Sequence, residues 1–135
     1  MAESIMTHMV AYYPNRERSI EAAKALVLED KQRGELFLCV VSGHKKLDLK
    51  KIKALRGSRN VALAHPDDVL RATGCSVGTV PPFPRLMGLL GYCDEGVLAN
   101  AYIVFSAASH YKSIRMKSAD WLPIAGVSVH ALAQD

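Results

Sequence analysis

Thr73-Gly74-Cys75-Ser76-Val77-Gly78-Thr79-Val80-Pro81-Pro82-Phe83-Pro84 is the stretch around which this chain is organised. Two glycines and three prolines fall within a dozen residues. Glycine permits backbone angles and close approaches that a side chain forbids. Proline fixes φ and removes an N–H. The stretch therefore belongs neither to a helix nor to a central strand. Two readings are open: a rigid loop whose amides and carbonyls line a ligand site, or an ordinary connector between elements. Composition alone favours the connector, because most Pro/Gly clusters are turns.

Upstream of the loop, His65-Pro66-Asp67-Asp68 opens a helix with Pro66 near its first position. That helix runs to Thr73 and stops at Gly74. Val61-Ala62-Leu63-Ala64 is a short strand. Asp48 caps a helix that continues to about Arg56, with Gly57 as its stop. Leu49, Ile52 and Leu55 form its inner face, while Lys46, Lys50 and Lys53 share another face at i, i+4, i+7 spacing. Glu35 to Ser42 (ELFLCVVS) is rich in β-formers and reads as a buried strand ended by Gly43. Asp30 to Gly34 is a polar turn. Further back, Ser19 is an N-cap with Glu21 in the first turn, opening a short helix through Glu21-Ala22-Ala23. Lys24-Ala25-Leu26-Val27-Leu28-Glu29 either extends that helix or forms a strand, and periodicity does not decide so short a run. Residues 1–18 are weakly patterned, with a turn at Tyr12-Tyr13-Pro14-Asn15.

Downstream, Leu86 to Tyr92 is apolar and reads as a strand despite Gly88 and Gly91. Asp94 to Leu98 is one helical turn. Tyr102-Ile103-Val104-Phe105 is a strand, and the alternating Lys112–Lys117 pairs with it. Ser118-Ala119-Asp120-Trp121-Leu122 is a short capped helix before Pro123. Val127 to Leu132 is a final alternating strand. Strands and short helices interleave without strict βαβ repetition. The expected fold is a single α/β domain over 1–135, with a mixed, partly barrel-like sheet flanked by short helices.

The chain's 135 residues suit one domain with a real core, and half of them are apolar, which argues against disorder. No apolar run approaches membrane-spanning length. The first thirteen residues do not look like a signal peptide. Three widely spaced cysteines (Cys39, Cys75, Cys93) argue for a reducing compartment and against a disulfide framework, so a cytoplasmic location is expected. The net charge of +4 is local in origin. Residues 44–59 carry seven basic side chains (Lys45, Lys46, Lys50, Lys51, Lys53, Arg56, Arg59) against the single acid Asp48. Such a stripe attracts polyanions more effectively than diffuse charge does.

In order along the chain stand "AAKALVLED", an apolar strand running into "VSGHKKLDLKKI", then "LAHPDDVLRATG", "VGTVPPF" and a late strand followed by "SAASHYKSIRM". Together they resemble the YbaK/prolyl-tRNA synthetase-associated editing domain family, over roughly Ser19 to Leu132. The most specific element is the family's G-x-x-x-P loop, here Gly78 to Pro82, preceded by Thr73-Gly74. No single motif carries the resemblance; their order and spacing do. It implies an enzyme that hydrolyses mischarged aminoacyl-tRNA in trans, with tRNA-Pro as one candidate carrier, while the small residues of the loop suggest a small amino acid such as alanine, serine or cysteine. It implies aminoacyl-tRNA as partner, and a synthetase as a second. It also implies no cofactor and no metal, the reaction leaning on a ribose hydroxyl and an ordered water. Lys24 matches the family's lysine near the scissile ester. Gly78, Thr79 and Pro82 fall in the loop that holds the aminoacyl group, and His110 stands where some members place a histidine. The chain departs from the family in three places. "SIEAA" runs straight into "KALV", Thr79 replaces the second glycine of a "GG", and Ala108 replaces a glycine after "SA".

Each candidate also has an ordinary reading. Lys24 without the resemblance is a solvated lysine. The Lys46, Lys50 and Lys53 face is either a soluble surface or a phosphate contact. His110 is a loop histidine or a pocket residue, His65 marks a helix start, and His130 lies on a strand face. Cys75 has no base nearby in sequence to make it a nucleophile, so it reads as a small pocket-wall or buried residue. The cysteines and histidines show no metal-ligand spacing. Met87, Phe105 and Trp121 belong to the core. Besides the deacylase, a non-catalytic module that binds tRNA or a synthetase remains open. A small-molecule ester or amide hydrolase fits less well, since a neutral substrate does not need the basic stripe.

Overall fold

The computed structural model describes residues 9–10 and 20–135. Strand β1 (Met9–Val10) is followed by β2 (Ala23–Asp30) and β3 (Glu35–Ser42). β2 and β3 form a hairpin paired along its full length, from Ala23 opposite Ser42 to Asp30 opposite Glu35. The helix expected through Glu21-Ala22-Ala23 is not formed: Ala22 bridges to Val104, and Ala23 already belongs to β2. Tertiary burial settles what local pattern left open. Ala23, Ala25 and Val27 pack into one hydrophobic cluster and Leu26 and Leu28 into another, the period-two separation of a strand covered on both faces. Ser19 and the turn at residues 12–15 lie outside the described residues.

Helix α1 (Leu49–Arg56) starts at Asp48, whose carboxylate accepts the Lys50 and Lys51 amides at 2.9 and 3.4 Å. Its inner side rests on the fully buried Ile52, and Leu55 is half-buried, while Leu49 lies largely exposed. Lys46 precedes the helix, so it does not share a helical face with Lys50 and Lys53. Strand β4 (Val61–Leu63) adds antiparallel to the free edge of β2. Helix α2 (Pro66–Thr73) is capped by His65, whose Nδ1 accepts the Asp67 amide at 3.1 Å.

Pro84 then opens the short helix α3 (Pro84–Met87), which Gly88 ends at φ 69°. The strand expected over Leu86–Tyr92 is accordingly shorter and later, as β5 (Leu90–Asp94). Proline at the first helical position and glycine just past the last outweighed the apolar composition. A 3-10 turn (Glu95–Ala99), β6 (Tyr102–Ser106), β7 (Ser113–Lys117), α4 (Ser118–Ala125) and β8 (Val127–His130) complete the chain. α4 runs through Pro123 rather than stopping before it, giving up one backbone hydrogen bond while burying Trp121 and Ala125.

The strands form a five-stranded mixed sheet, ordered β4-β2-β3-β5-β8, and a three-stranded sheet, β1-β7-β6. The Ala22–Val104 bridge joins them. The five-stranded sheet remains open, so the partly barrel-like reading is corrected to an open mixed sheet flanked by short helices. One core cluster gathers Leu38, Val40, Phe83, Phe105, Met116 and Trp121, with the Phe83 and Phe105 rings edge to face at 5.4 Å. The other gathers Leu28, Phe37, Cys39, Ile52, Val61 and Leu132. Burial pushes the Cys39 and Cys93 thiols up to about 12, which leaves both unreactive. No helix among the described residues is long and apolar enough to cross a membrane.

A buried ionic network fixes α1 to the hairpin. Arg56 Nε donates to Asp30 Oδ2 at 2.8 Å, Nη1 donates to the Tyr92 hydroxyl at 3.0 Å, and Nη2 pairs with Glu35. The guanidinium also lies 4.3 Å from the centre of the Phe37 ring. Ser58 Oγ and the Arg33 amide donate to the other Asp30 oxygen at 2.8 and 3.1 Å. Arg56, counted by sequence among the stripe's free cations, is thus spent inside the protein.

Ala108 adopts φ 58°, the left-handed region that favours glycine. Ala108→Gly is expected to raise stability by about 0.5–1 kcal/mol. Chemical denaturation of the two proteins measures it, and an unchanged or lower midpoint would show that the loop tolerates the alanine.

Candidate active site

The cleft opens where β2 changes neighbour. On the edge away from β3, β2 meets β6 at Ala22 and β4 from Leu28 onward. Among the described residues no strand pairs with Lys24–Leu26 on that edge. The Val104 amide donates to the Glu21 carbonyl at 2.9 Å, and the Ala64 amide to the Val27 carbonyl at 3.0 Å. The alternation of a strand then turns the Ala25 backbone into the gap between them. The Val77–Val80 arm of the central loop borders this gap. The result is a cavity of about 240 Å³ whose lining includes Lys24, Ala25, Gly43, Gly78, Val80 and Ser106.

Lys24 lies on β2 and is half-buried. Its Nζ donates to the Gly43 carbonyl at 3.5 Å. Burial lowers its pKa from the ordinary lysine value, and the charge of Lys46 lowers it further. Gly43 makes this possible: its amide donates to the Ala22 carbonyl at 2.8 Å, and a Cβ there would stand 3.0 Å from Ala22 Cβ. Across the cavity Gly78 sits at φ 87°, a conformation that strains any side chain. Its carbonyl accepts from Ser106 Oγ at 3.0 Å, which anchors the loop to the end of β6. His110 is exposed, with Cε1 3.7 Å from where a Gly78 Cβ would stand. The loop therefore borders the cavity as well as connecting α2 to α3.

The sequence pattern of the aminoacyl-tRNA editing domain matches residues 4–124. This chain belongs to the aminoacyl-tRNA editing domain family. Among curated relatives, it is 33% identical over 109 residues to the multifunctional Ser/Thr-tRNA deacylase ProXp-y of Escherichia coli (strain K12). That match covers 78% of this chain and 65% of the relative. A crystal structure of a candidate trans-editing enzyme for prolyl-tRNA synthetase superposes with a TM-score of 0.81 at 24% identity, covering 99% of this chain and 92% of that one. A scaffold protein used for epitope grafting superposes with a TM-score of 0.83 at 24% identity, covering 99% and 91%. Both structures share the fold.

In the editing domain, Lys24, Gly78 and His110 come together, and Lys46 acts on Lys24 from the loop after β3. Thr79 and Pro82 do not line the cavity. Thr79 is buried, and its hydroxyl donates to the Ser76 carbonyl at 2.8 Å. Pro82 is buried, and its carbonyl accepts from Trp121 Nε1 at 2.9 Å. Both set the shape of the loop. Lys50 is exposed on α1, and Lys53 borders a shallow depression with Gly57, Ser58 and Arg59. Cys75 is half-buried against the core beside the loop. Among the described residues no three His, Cys, Asp or Glu side chains gather as a metal site would require.

Sequence reading missed Ser106, Gly43 and Ala25. Gly43 carried the only usable signal, a glycine ending a strand just before the basic run. An alanine, and a serine at a strand end, announce nothing by type; pairing across the chain gives them their place.

Proposed function

We propose that the editing domain is a trans-acting deacylase that hydrolyses the ester of mischarged tRNA. The amino acid is small, and tRNA-Pro is one candidate carrier. The observation that carries this reading is the Lys24 ammonium across a cavity from the Gly78 backbone, with no acidic side chain among the described residues that line it. A cation that burial and a second lysine both disfavour is relieved by an anion. The 3′-terminal phosphodiester of tRNA supplies one beside the scissile ester. Water then attacks the ester carbonyl carbon, and the C–O bond to the ribose breaks. The water's proton goes to the ribose oxygen, leaving the free amino acid and the ribose hydroxyl. Lys24 orients the ester through the neighbouring phosphate and offsets the negative charge that builds on the carbonyl oxygen. The Ala25 backbone and the Gly78 loop hold the acyl group in place. A cytoplasmic setting goes with this substrate, and the partner whose errors the enzyme would correct is an aminoacyl-tRNA synthetase.

The test is a panel of mischarged tRNAs incubated with pure protein while loss of the ester is followed. No loss on any member overturns the reading; retained tRNA binding would then mark a non-catalytic module. Direct titration with tRNA addresses the basic surface. Changing Lys46, Lys50 and Lys53 together to Glu is expected to abolish most tRNA affinity. It should also flatten the salt dependence, because each neutralised phosphate releases counterions. Unchanged binding by this triple variant removes the surface from the proposal.

A further inference from the structure

Beside the Lys24 cavity lies a second lobe of about 290 Å³. Its walls are Val27 on β2, Leu63 and Ala64 at the end of β4, Pro66 and Val69 on α2, and Val77 of the central loop. The two lobes share the Ala25–Leu26 edge and Gly78. Their chemistry differs. The first carries the Lys24 ammonium and the Ser106 hydroxyl; among the described residues no side chain lining the second has a hydrogen-bonding group. The Val27 carbonyl already takes the Ala64 amide, and the Ala25 backbone on the shared edge is the group proposed above to hold the acyl group. His65, next to the wall, is turned to its capping bond with the Asp67 amide.

We infer that this lobe receives the side chain of the aminoacyl group and selects aliphatic side chains over hydroxylated ones. The inference rests on the deacylase reading of the adjoining cavity. With the scissile carbonyl between Lys24 and Gly78, the side chain one carbon away extends along the shared edge into the apolar lobe. A methyl there exchanges water for apolar contact. A hydroxyl sheds its water and finds no side-chain partner. Valine and threonine have nearly the same shape, so this pair isolates the effect. A site of this kind separates the two by about 10- to 100-fold. The E. coli relative is named for serine and threonine; at 33% identity the lobe walls are free to differ.

The experiment compares kcat/KM for tRNAs carrying valine, threonine, alanine and serine. Valine is expected to exceed threonine, and alanine to exceed serine, each by about 10- to 100-fold. Threonine hydrolysed as well as valine overturns the selectivity and leaves the deacylase reading standing. Ala64→Leu, which fills the lobe, is expected to reduce valyl-ester turnover about tenfold or more while sparing the alanyl ester. Equal losses on both esters, or none, overturn the placement of the side chain. Calorimetric titration with the non-hydrolysable 3′-amide analogues of valyl- and threonyl-adenosine reads the lobe without turnover. Tighter valyl binding with no ester hydrolysed keeps the lobe and removes the deacylase. Equal or tighter threonyl binding overturns the inference.

Discussion

Lys24→Ala is expected to cost about two decades or more in deacylation while leaving the protein at least as stable as the parent. The first half follows from the cavity, where among the described residues no lining side chain other than Lys24 carries a charge. Removing one preorganised charge or donor from a catalytic site costs on the order of 10²–10³ in kcat. The second half follows from electrostatics. Burial and Lys46 lower the Lys24 pKa, so the charged form is disfavoured in the folded protein. Below its folded pKa that charge opposes folding, and the cost fades as pH rises through the folded value, because the unfolded chain there binds more protons. A neutral side chain removes the cost at neutral pH. A merely structural lysine would show the opposite pairing, with stability lost and turnover kept. Lys24→Arg is expected to restore little, since a planar fork does not replace a compact ammonium bonded to one carbonyl. A folded Lys24→Ala protein that hydrolyses its best substrate at the parental rate would sink the assignment.

Arg56→Met is expected to lower stability by about 3–5 kcal/mol, because it takes the buried partner from the buried Asp30 carboxylate and leaves only the half-exposed Arg33 side chain 3.7 Å away. That is a large part of a typical domain's stability. Denaturant titration measures it. The control is the double variant Asp30→Ala with Arg56→Met, which should be less destabilised than the sum of the single changes. Equal additivity would show that the two charges do not depend on each other. The pH response has a definite sign. Burial acts to raise the Asp30 pKa, but hydrogen bonds from Arg56, Ser58 and the Arg33 amide outweigh it and hold the carboxyl below its ordinary value of 3.8. Its stabilising contribution is present above that unfolded value and is lost as pH falls through the lower folded one. Acid unfolding should therefore be shallower in Arg56→Met than in the parent below about pH 4.

The elements that sequence placed well are those with their own punctuation. Asp48 with Gly57, and His65-Pro66 with Gly74, bracket α1 and α2 by caps that act within one turn. β3 and the β6–β7 pair carry β-branched and aromatic residues dense enough to stand alone. Failure came where distant contacts decide. "EAAKALVLE" has a helix former at almost every position, and only burial on both faces makes it a strand. Arg56 looked like its basic neighbours because its acceptors lie 26 and 21 residues earlier in the chain. At the candidate site, an ordered set of motifs singled out Lys24 and the Gly78 loop, which line one cavity. Ala25 was not singled out, since its place in the cavity comes from a strand edge that no described strand pairs with, and no residue type encodes that.

The bond from Trp121 to the Pro82 carbonyl has a practical consequence. This is the chain's sole tryptophan, fully buried, with its indole N–H on the loop that borders the cleft. Its ultraviolet emission therefore comes from one place. A chromophore shielded from water and tied to that loop serves as a built-in optical gauge of loop position. Ligand entry and loop loosening can both be followed as changes in colour and intensity, with no attached dye.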